Sequence, residues 1–476
     1  MDNVKCDMDD WIWLHFALAR EANRVEESAG EVFNLQNLKT TIADIGKRHF
    51  SPGSESGSSF GAFFYLQVLA GMFEEAISYL YQHNPVAAVH FGIGLDVYGL
   101  LRVSDYSNSA NLSKFIQVET SMPTILINSS ESYTTTGKPQ IAFGPLVGFY
   151  TRDFRAAKAE AAADYLILLC LNSDLPGEAG RQQAEMCHEG LRELVLETRE
   201  FASLLGDIRS DGQRMSGHIE QRLRLIGLKD QQAFLKAVTV QAAKVADDSG
   251  RTTDAVLLYH LAEDYESVIT VLNRALSESL SLSLGSGAMR IEPLKPRAGT
   301  QQNSSLSLTS VDDPVQLANN MVNLYHSNAL QMAKISRNNR DTCATLLQMC
   351  RIRSLVEAGK DNEALDKIQG LGLLPTDANN DITRIRQKAQ NFNSLPPMIA
   401  RNIGNLLLWT INCCSRLRED IMSSNFYGSD ATRQDLSRRL VEQAKDLMVF
   451  AGLVRFRLPA EVMEILAREG TEAGYA

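Results

Sequence analysis

Three stretches of the chain read alike: GMFEEAISYL from Gly71 to Leu80, GRTTDAVLLY from Gly250 to Tyr259, and GKDNEALDKI from Gly359 to Ile368. In each, the glycine is followed five residues on by alanine, then at once by isoleucine, valine or leucine, and three residues later by a large apolar side chain. Glycine takes the left-handed conformation that ends a helix at little cost. The next residues turn the chain, and an alanine has too little bulk to hold a second helix away from the first. Each copy therefore predicts a helix-turn-helix hairpin. The spacings between the glycines are unequal and fit no multiple of the roughly 34-residue tetratricopeptide period, so irregular stacking is expected rather than a regular array.

Helical periodicity extends outward from these turns. From Cys187 the positions Leu191, Leu194, Val195, Thr198, Phe201, Leu204 and Leu205 follow at steps of three and four, with Glu189, Arg192, Glu193 and Glu197 opposite, and Gly206 predicts a C-cap. Ile399, Ile403, Leu406, Leu407 and Thr410 repeat the spacing, as do Leu436, Leu440, Ala444, Leu447, Ala451 and Val454. Asp313 before Pro314 predicts an N-cap and first helical residue for a stripe of Leu317, Met321, Leu324, Tyr325 and Asn328. Pro459 predicts the start of a last helix facing inward through Val462, Ile465 and Leu466. Only 13 prolines interrupt the chain, below the roughly 5% usual in proteins.

Two segments lack the helical period. Residues 283–313, rich in Ser, Gly, Pro and Gln, predict a disordered insertion. Residues 104–145 predict an irregular loop region whose β-branched patches, such as Thr124 to Ile127, are too isolated to make a sheet. Ser51 to Ser59 reads as a shorter polar connector.

The 476 residues carry 47 Lys and Arg against 57 Asp and Glu, a net charge of −10 without a dense basic run, so nucleic acid is not expected as a direct partner. Beyond roughly 250 to 300 residues a single core stops growing, which leaves several domains or layers packing on their neighbours. The seven cysteines, an odd number without a CxxC pair, follow the pattern of a reducing compartment. The longest apolar stretch, Val86 to Leu101, is interrupted by His90 and Asp96 and is shorter than the ~20 residues of a membrane span, so no transmembrane segment is expected.

Chemistry-bearing motifs are near misses. GIGLDVYG, Gly92 to Gly99, has its third glycine misplaced for dinucleotide binding and follows no predicted strand. At Gly137-Lys138 a phosphate loop would need glycine where Ser132 stands and Ser or Thr in place of Pro139. His188-Glu189 lacks a second histidine, and adjacent Cys413 and Cys414 point to different sides of a helix. Asp247-Asp248 and Asp312-Asp313 stand where capping explains them. No catalytic, cofactor-binding or metal-ligating residue is nominated, and no cofactor is expected.

The runs FGPLVGFYTRDFRAAKAEAAADYLILLCLN (143–172), CHEGLRELVLETREFASLLGDIR (187–209) and VQAAKVADDSGRTTDAVLLYHLAEDYESVITVLN (240–273) resemble the nucleoporin-interacting-component family, the Nup-ninety-three/Nic-ninety-six scaffold nucleoporins of the inner pore ring. WLHFALAREANR (13–24), YLQVLAGMFEEAISYL (65–80) and AVHFGIGLDVYGLL (88–101) are similar in the same order. The likeness covers most of residues 11–275 and weakens toward the C-terminus. It implies an all-α solenoid over residues 1–476 that folds back on itself, related to vesicle-coat proteins and without catalysis. It further implies a place at the nuclear pore complex of the nuclear envelope. The implied partners are other nucleoporins, notably a Nup-fifty-three class peptide on the solenoid at positions the resemblance does not assign. Large inner-ring and channel nucleoporins are bound in the family through an N-terminal region. That region is expected to be missing here, since Trp11 already begins solenoid-like sequence. Trp11, Trp13, Leu14 and Phe16 would then form an apolar patch. A helical adaptor of vesicle-coat or co-chaperone type and a helical enzyme with a site built from scattered acids and histidines are the competing classes.

Overall fold

The computed structural model describes residues 8–19, 33–50, 60–104, 125–127, 138–209, 212–226, 231–294, 311–392, 394–423 and 430–454. The connector at 51–59, Gly137, and the helix expected after Pro459 lie outside these residues. So do 105–124, 128–137 and 295–310, the greater parts of the two expected irregular segments. Tertiary contacts gather into two compact units, residues 1–200 with 218–231, and residues 201–217 with 232–476. Nothing in the residue pattern marks this division.

The first unit contains α1 (Met8–Leu18), α2 (Leu35–His49), α3 (Phe60–Leu69), α4 (Phe73–His83) and α5 (Pro85–Val97), with β1 (Leu126–Ile127) and β2 (Gln140–Ile141). It continues through α6 (Phe143–Arg152), α7 (Ala159–Ile167) and α8 (Glu178–Thr198). Each of α3 to α8 packs against the helix before or after it. Leu38, Ile42, Phe63, Leu66 and Met72 form a cluster onto which α1 lays Trp11, Ile12 and Phe16. The expected N-terminal patch is thus divided: Trp13, 72% exposed, and Leu14 face away from that cluster.

The second unit starts at α9 (Phe201–Leu204), β3 (Gly206–Ile208) and β4 (Arg214–Ser216). The short α10 (His218–Gln221) belongs to the first unit. Then follow α11 (Gln231–Asp248), α12 (Thr252–Leu261), α13 (Tyr265–Ser281), α14 (Pro314–His326), α15 (Ala329–Ala333), α16 (Arg337–Glu357) and α17 (Asp361–Leu371). α18 (Ile382–Phe392), α19 (Pro397–Ala400), α20 (Ile403–Met422) and α21 (Asp430–Leu453) complete it. α13 is central, packing against α12, α14, α16 and α19.

All three glycines adopt the expected conformation, with φ of 68° at Gly71, 71° at Gly250 and 70° at Gly359. Each turn closes with the same two bonds. The glycine N–H reaches the carbonyl three residues back, and the next N–H reaches the one five residues before it, as Met72 does to Gln67, Arg251 to Ala246 and Lys360 to Leu355. Ala76, Ala255 and Ala364 are fully buried. Gly71 and Gly359 close packed pairs, α3 with α4 and α16 with α17. The same turn at Gly250 joins α11 to α12, which packs on β3, and Arg251 lies over the Phe201 ring at 5.8 Å. α12 in turn packs against α13, and the turn between them repeats the motif with Glu263 in the glycine position, at φ 61° with Asp264 N bonded to Tyr259 O.

A side chain in this conformation is strained, whereas nothing lies within 4 Å of a Cβ at Gly250. Gly250→Ala should therefore cost about 1 kcal/mol by backbone conformation alone, while Glu263→Gly should gain about 0.5 kcal/mol net of its exposed pair with Lys334. Denaturant midpoints that move the same way for both variants would contradict this.

Several expectations are corrected. The helix after Cys187 stops at Thr198 with Arg199 left-handed at φ 57°, the Thr198 hydroxyl donating back to Leu194 O at 2.7 Å. Gly206 caps no helix. It lies in β3 at φ 124°, where a Cβ would stand 2.5 Å from Met215 O, because β4 pairs beside it. The stripe itself holds, every position from Cys187 to Leu205 being buried. In residues 104–145 the patch at Ile125 to Ile127 does pair: Leu126 faces Ile141 and Ile127 faces Gln140, and Val103 bridges Ile141. Ile141 is wholly buried, so its backbone polar groups must find partners. A helix begins already at Phe143. Asn328 leaves the α14 stripe and caps α15, accepting from Leu330 N and Gln331 N. Asp313 caps α14 as expected, accepting from Val315 N. Within 283–313, Ile291 and Leu294 are buried, Ile291 N donates to Asp312 O, and Thr253 donates to Glu292 O.

Candidate peptide-docking grooves

The near-miss motifs resolve into packing. Gly92 lies in α5, where a Cβ would come within 3.3 Å of Leu146, and Gly99 at φ 66° closes the helix end. Asp96 accepts from Asn172 Nδ2 at 3.0 Å and is pushed up to about 6, chiefly by burial. His188 Nε2 and the Cys170 thiol both donate to the carbonyl of Ile226. Cys413 and Cys414 are buried thiols, the first held high by burial and by Asp361. Asp247 pairs with Arg274 at 3.0 Å, and Asp312 with Arg290. Among the described residues no three His, Cys, Asp or Glu side chains gather as a metal site.

What remains are grooves in the second unit. Between α17, α20 and α21 lies one of 790 Å³ with a mixed lining that includes Leu365, Leu417, Asp420 and Arg439, the last paired with Asp435. A second, of 520 Å³, runs beside Arg353, whose guanidinium is spent on the carbonyls of Ser279 and Ser283 and on Glu357.

The third groove, also 520 Å³, is bounded by α13, α14, α15 and α16. Its shape follows from two successive caps. Asn328 starts α15 directly after α14, and Ser336 starts α16 after it, accepting from Asn339 N. The short α15 and the turn after it thus contribute Met332 and Ile335 to the lining, with Val322 from α14 and Ile269 from α13. Tyr325 borders it with its hydroxyl 3.0 Å from His260 Nδ1, the rings stacked at 5.7 Å and Tyr265 edge-on to both. Burial first and then Arg214 hold His260 down to about 4, against an opposing effect of Glu263.

The polar groups around the groove are mostly paired. Glu266 accepts from Ser336 N at 2.7 Å, Ser336 Oγ at 2.8 Å and Asn339 Nδ2 at 2.6 Å. Lys334 meets Glu263 at 3.0 Å, and exposed Arg337 meets Asp341 at 3.5 Å. Half-buried Arg340 differs: its Nε is buried without a hydrogen-bond partner among the described residues. Sequence reasoning passed over Arg340. The available signal was Ser336 followed by Arg337 and Arg340 where a helix start usually carries acid.

Stacked helix pairs with open grooves define an all-helical solenoid. The sequence model of the family described as Nup93/Nic96 matches residues 1–465, and the chain belongs to that family. It is similar to Nucleoporin NIC96 of Chaetomium thermophilum, with 46% identity over 99% of this chain and 42% of the relative. Nucleoporin NIC96 of Saccharomyces cerevisiae shares 34% identity over 97% of this chain and 48% of its own length, and Nuclear pore complex protein Nup93 of Xenopus tropicalis 24% over 95% and 48%. The crystal structure of Chaetomium thermophilum Nic96 SOL superposes with a TM-score of 0.83 at 46% identity, over 97% of this chain and 63% of that one. The chain thus spans less than half the length of these curated relatives.

Proposed function

We propose that the protein is a structural scaffold nucleoporin of the inner ring of the nuclear pore complex, which holds other nucleoporins through short peptide segments and so supports pore assembly and nucleocytoplasmic transport at the nuclear envelope. Its work is positional, without catalysis and without direct contact to nucleic acid. The observation that carries this reading is the family match over residues 1–465, joined to a stack of helix pairs whose second unit carries open grooves, one of them lined largely by apolar side chains. Such surfaces bind extended or helical segments without reshaping their own helices. The expected partners include a Nup-fifty-three class peptide. Large inner-ring and channel nucleoporins would be reached through the N-terminal region that the family carries. A fluorescent fusion of the chain is expected at the nuclear rim in puncta shared with other nucleoporins. Enrichment on vesicle coats or a uniform distribution would favour the adaptor class instead.

A further inference from the structure

We infer that the groove between α13, α14, α15 and α16 is a docking site for an acidic, amphipathic helical segment of a partner protein, whose carboxylate seats on Arg340 while its aliphatic side chains fill the space between Val322, Met332 and Ile335. This deepens the scaffold reading and rests on it. Three observations define the occupant. The first is the unpartnered Nε of Arg340. A guanidinium in partial burial loses hydration that only an anion or a carbonyl restores, and its planar fork suits a carboxylate. The other two cations here, Lys334 and Arg337, already have Glu263 and Asp341.

The second is the position of Arg340 in the first turn of α16, which has no acidic residue in that turn. Helix N-termini carry partial positive charge and usually recruit Asp or Glu. Here Glu266 already caps that terminus through Ser336 and Asn339, and Arg337 is paired with Asp341, so Arg340 is the cation at this helix start without an anion among the described residues. A carboxylate supplied from outside pairs Arg340. The third is the lining. Val322, Met332, Ile335 and Ile269 are apolar, and the volume of 520 Å³ accommodates a few side chains rather than a whole domain. Methionine adapts to differently shaped aliphatic partners. A helical segment presenting one carboxylate beside two or three aliphatic groups on one face satisfies all three.

The test uses a phage-displayed library of random peptides of about 16 residues, panned against the intact chain and against Arg340→Glu, a length that provides about four helical turns. Because the Arg340 side chain makes no hydrogen bond or ion pair within the described residues, the variant should keep the parent circular dichroism and thermal midpoint; if it does not fold, Arg340→Gln takes its place. The intact chain should enrich peptides with Asp or Glu beside Leu, Ile or Met at helical spacing. The best such peptide, synthesised, should bind Arg340→Glu about tenfold more weakly, and replacing its acid by lysine should restore binding to that variant. Absence of an acidic-apolar consensus, or equal binding to both proteins, would overturn the docking site. If both proteins capture nucleoporins equally, the groove is wrong and the scaffold reading stands; if neither captures any, the scaffold reading itself is wrong.

Discussion

Arg102→Ala should destabilise the first unit by about 3 kcal/mol, the low end for removing one partner of a buried pair because Arg102 itself is partly exposed. Glu74, in the second position of α4, is fully buried. Its two carboxylate oxygens take the Arg102 backbone N–H at 2.8 Å and the guanidinium at 2.6 Å. Arg102 Nε also donates to Pro139 O at 3.1 Å, tying α4 to the segment that leads into β2. Burial already pushes the Glu74 carboxyl upward, with the Arg102 contacts opposing it. Without the cation that rise grows, and protonation becomes the way for Glu74 to stay buried. A carboxyl raised above its unfolded value contributes stability below the unfolded value and loses it as pH rises. The variant's deficit should therefore be larger at pH 7.5 than at pH 4. Urea midpoints at the two pH values check this, and a deficit independent of pH would contradict the role given to Glu74.

Acid should cost the second unit about 3 kcal/mol at His260 alone, given a shift from the ordinary 6.5 down to about 4. The folded state holds the imidazole neutral, so above pH 6.5 it contributes no pH dependence. As pH falls the unfolded chain takes up the proton first, and stability is lost between about 6.5 and 4. The total profile mixes signs, because Asp96, pushed up to about 6, gains stability over part of the same window. A variant isolates the effect. His260→Gln keeps a neutral hydrogen-bonding group for the Tyr325 hydroxyl, and its thermal midpoint should fall less than that of the parent between pH 7.5 and 4.5. An unchanged acid loss would remove His260 from the account.

The parts of the fold legible in the residues were those set by local chemistry. Glycine five residues before a buried alanine marks a left-handed turn because backbone sterics allow little else there. Asp313-Pro314 marks a helix start because the cap and the fixed φ act within one turn. The turn at Glu263 escaped because a glutamate gives no such sign: its conformation is imposed by the packing of α12 against α13. The turn at Gly250 was legible, but what α12 packs on beyond it was not. α12 packs on β3 and Arg251 lies over Phe201, contacts that no spacing rule connects to Gly250. Gly206 was misplaced because a glycine needed for close backbone approach in a strand looks the same in sequence as one ending a helix. The groove was legible only in its ingredients. Met332, Ile335 and Arg340 are visible as residues, but which cations find partners depends on contacts such as Glu266 with Ser336, some seventy residues apart. The family resemblance conveyed scaffold character without assigning such a surface.

The central claim is that these helix pairs exist to hold other nucleoporins, and affinity capture tests it most directly. The tagged chain, expressed at native level, is recovered under mild conditions and its partners are quantified by mass spectrometry. The account predicts that inner-ring nucleoporins dominate, with a Nup-fifty-three class protein among them. Recovery of vesicle-coat or chaperone components in their place, with nucleoporins at background, would contradict it.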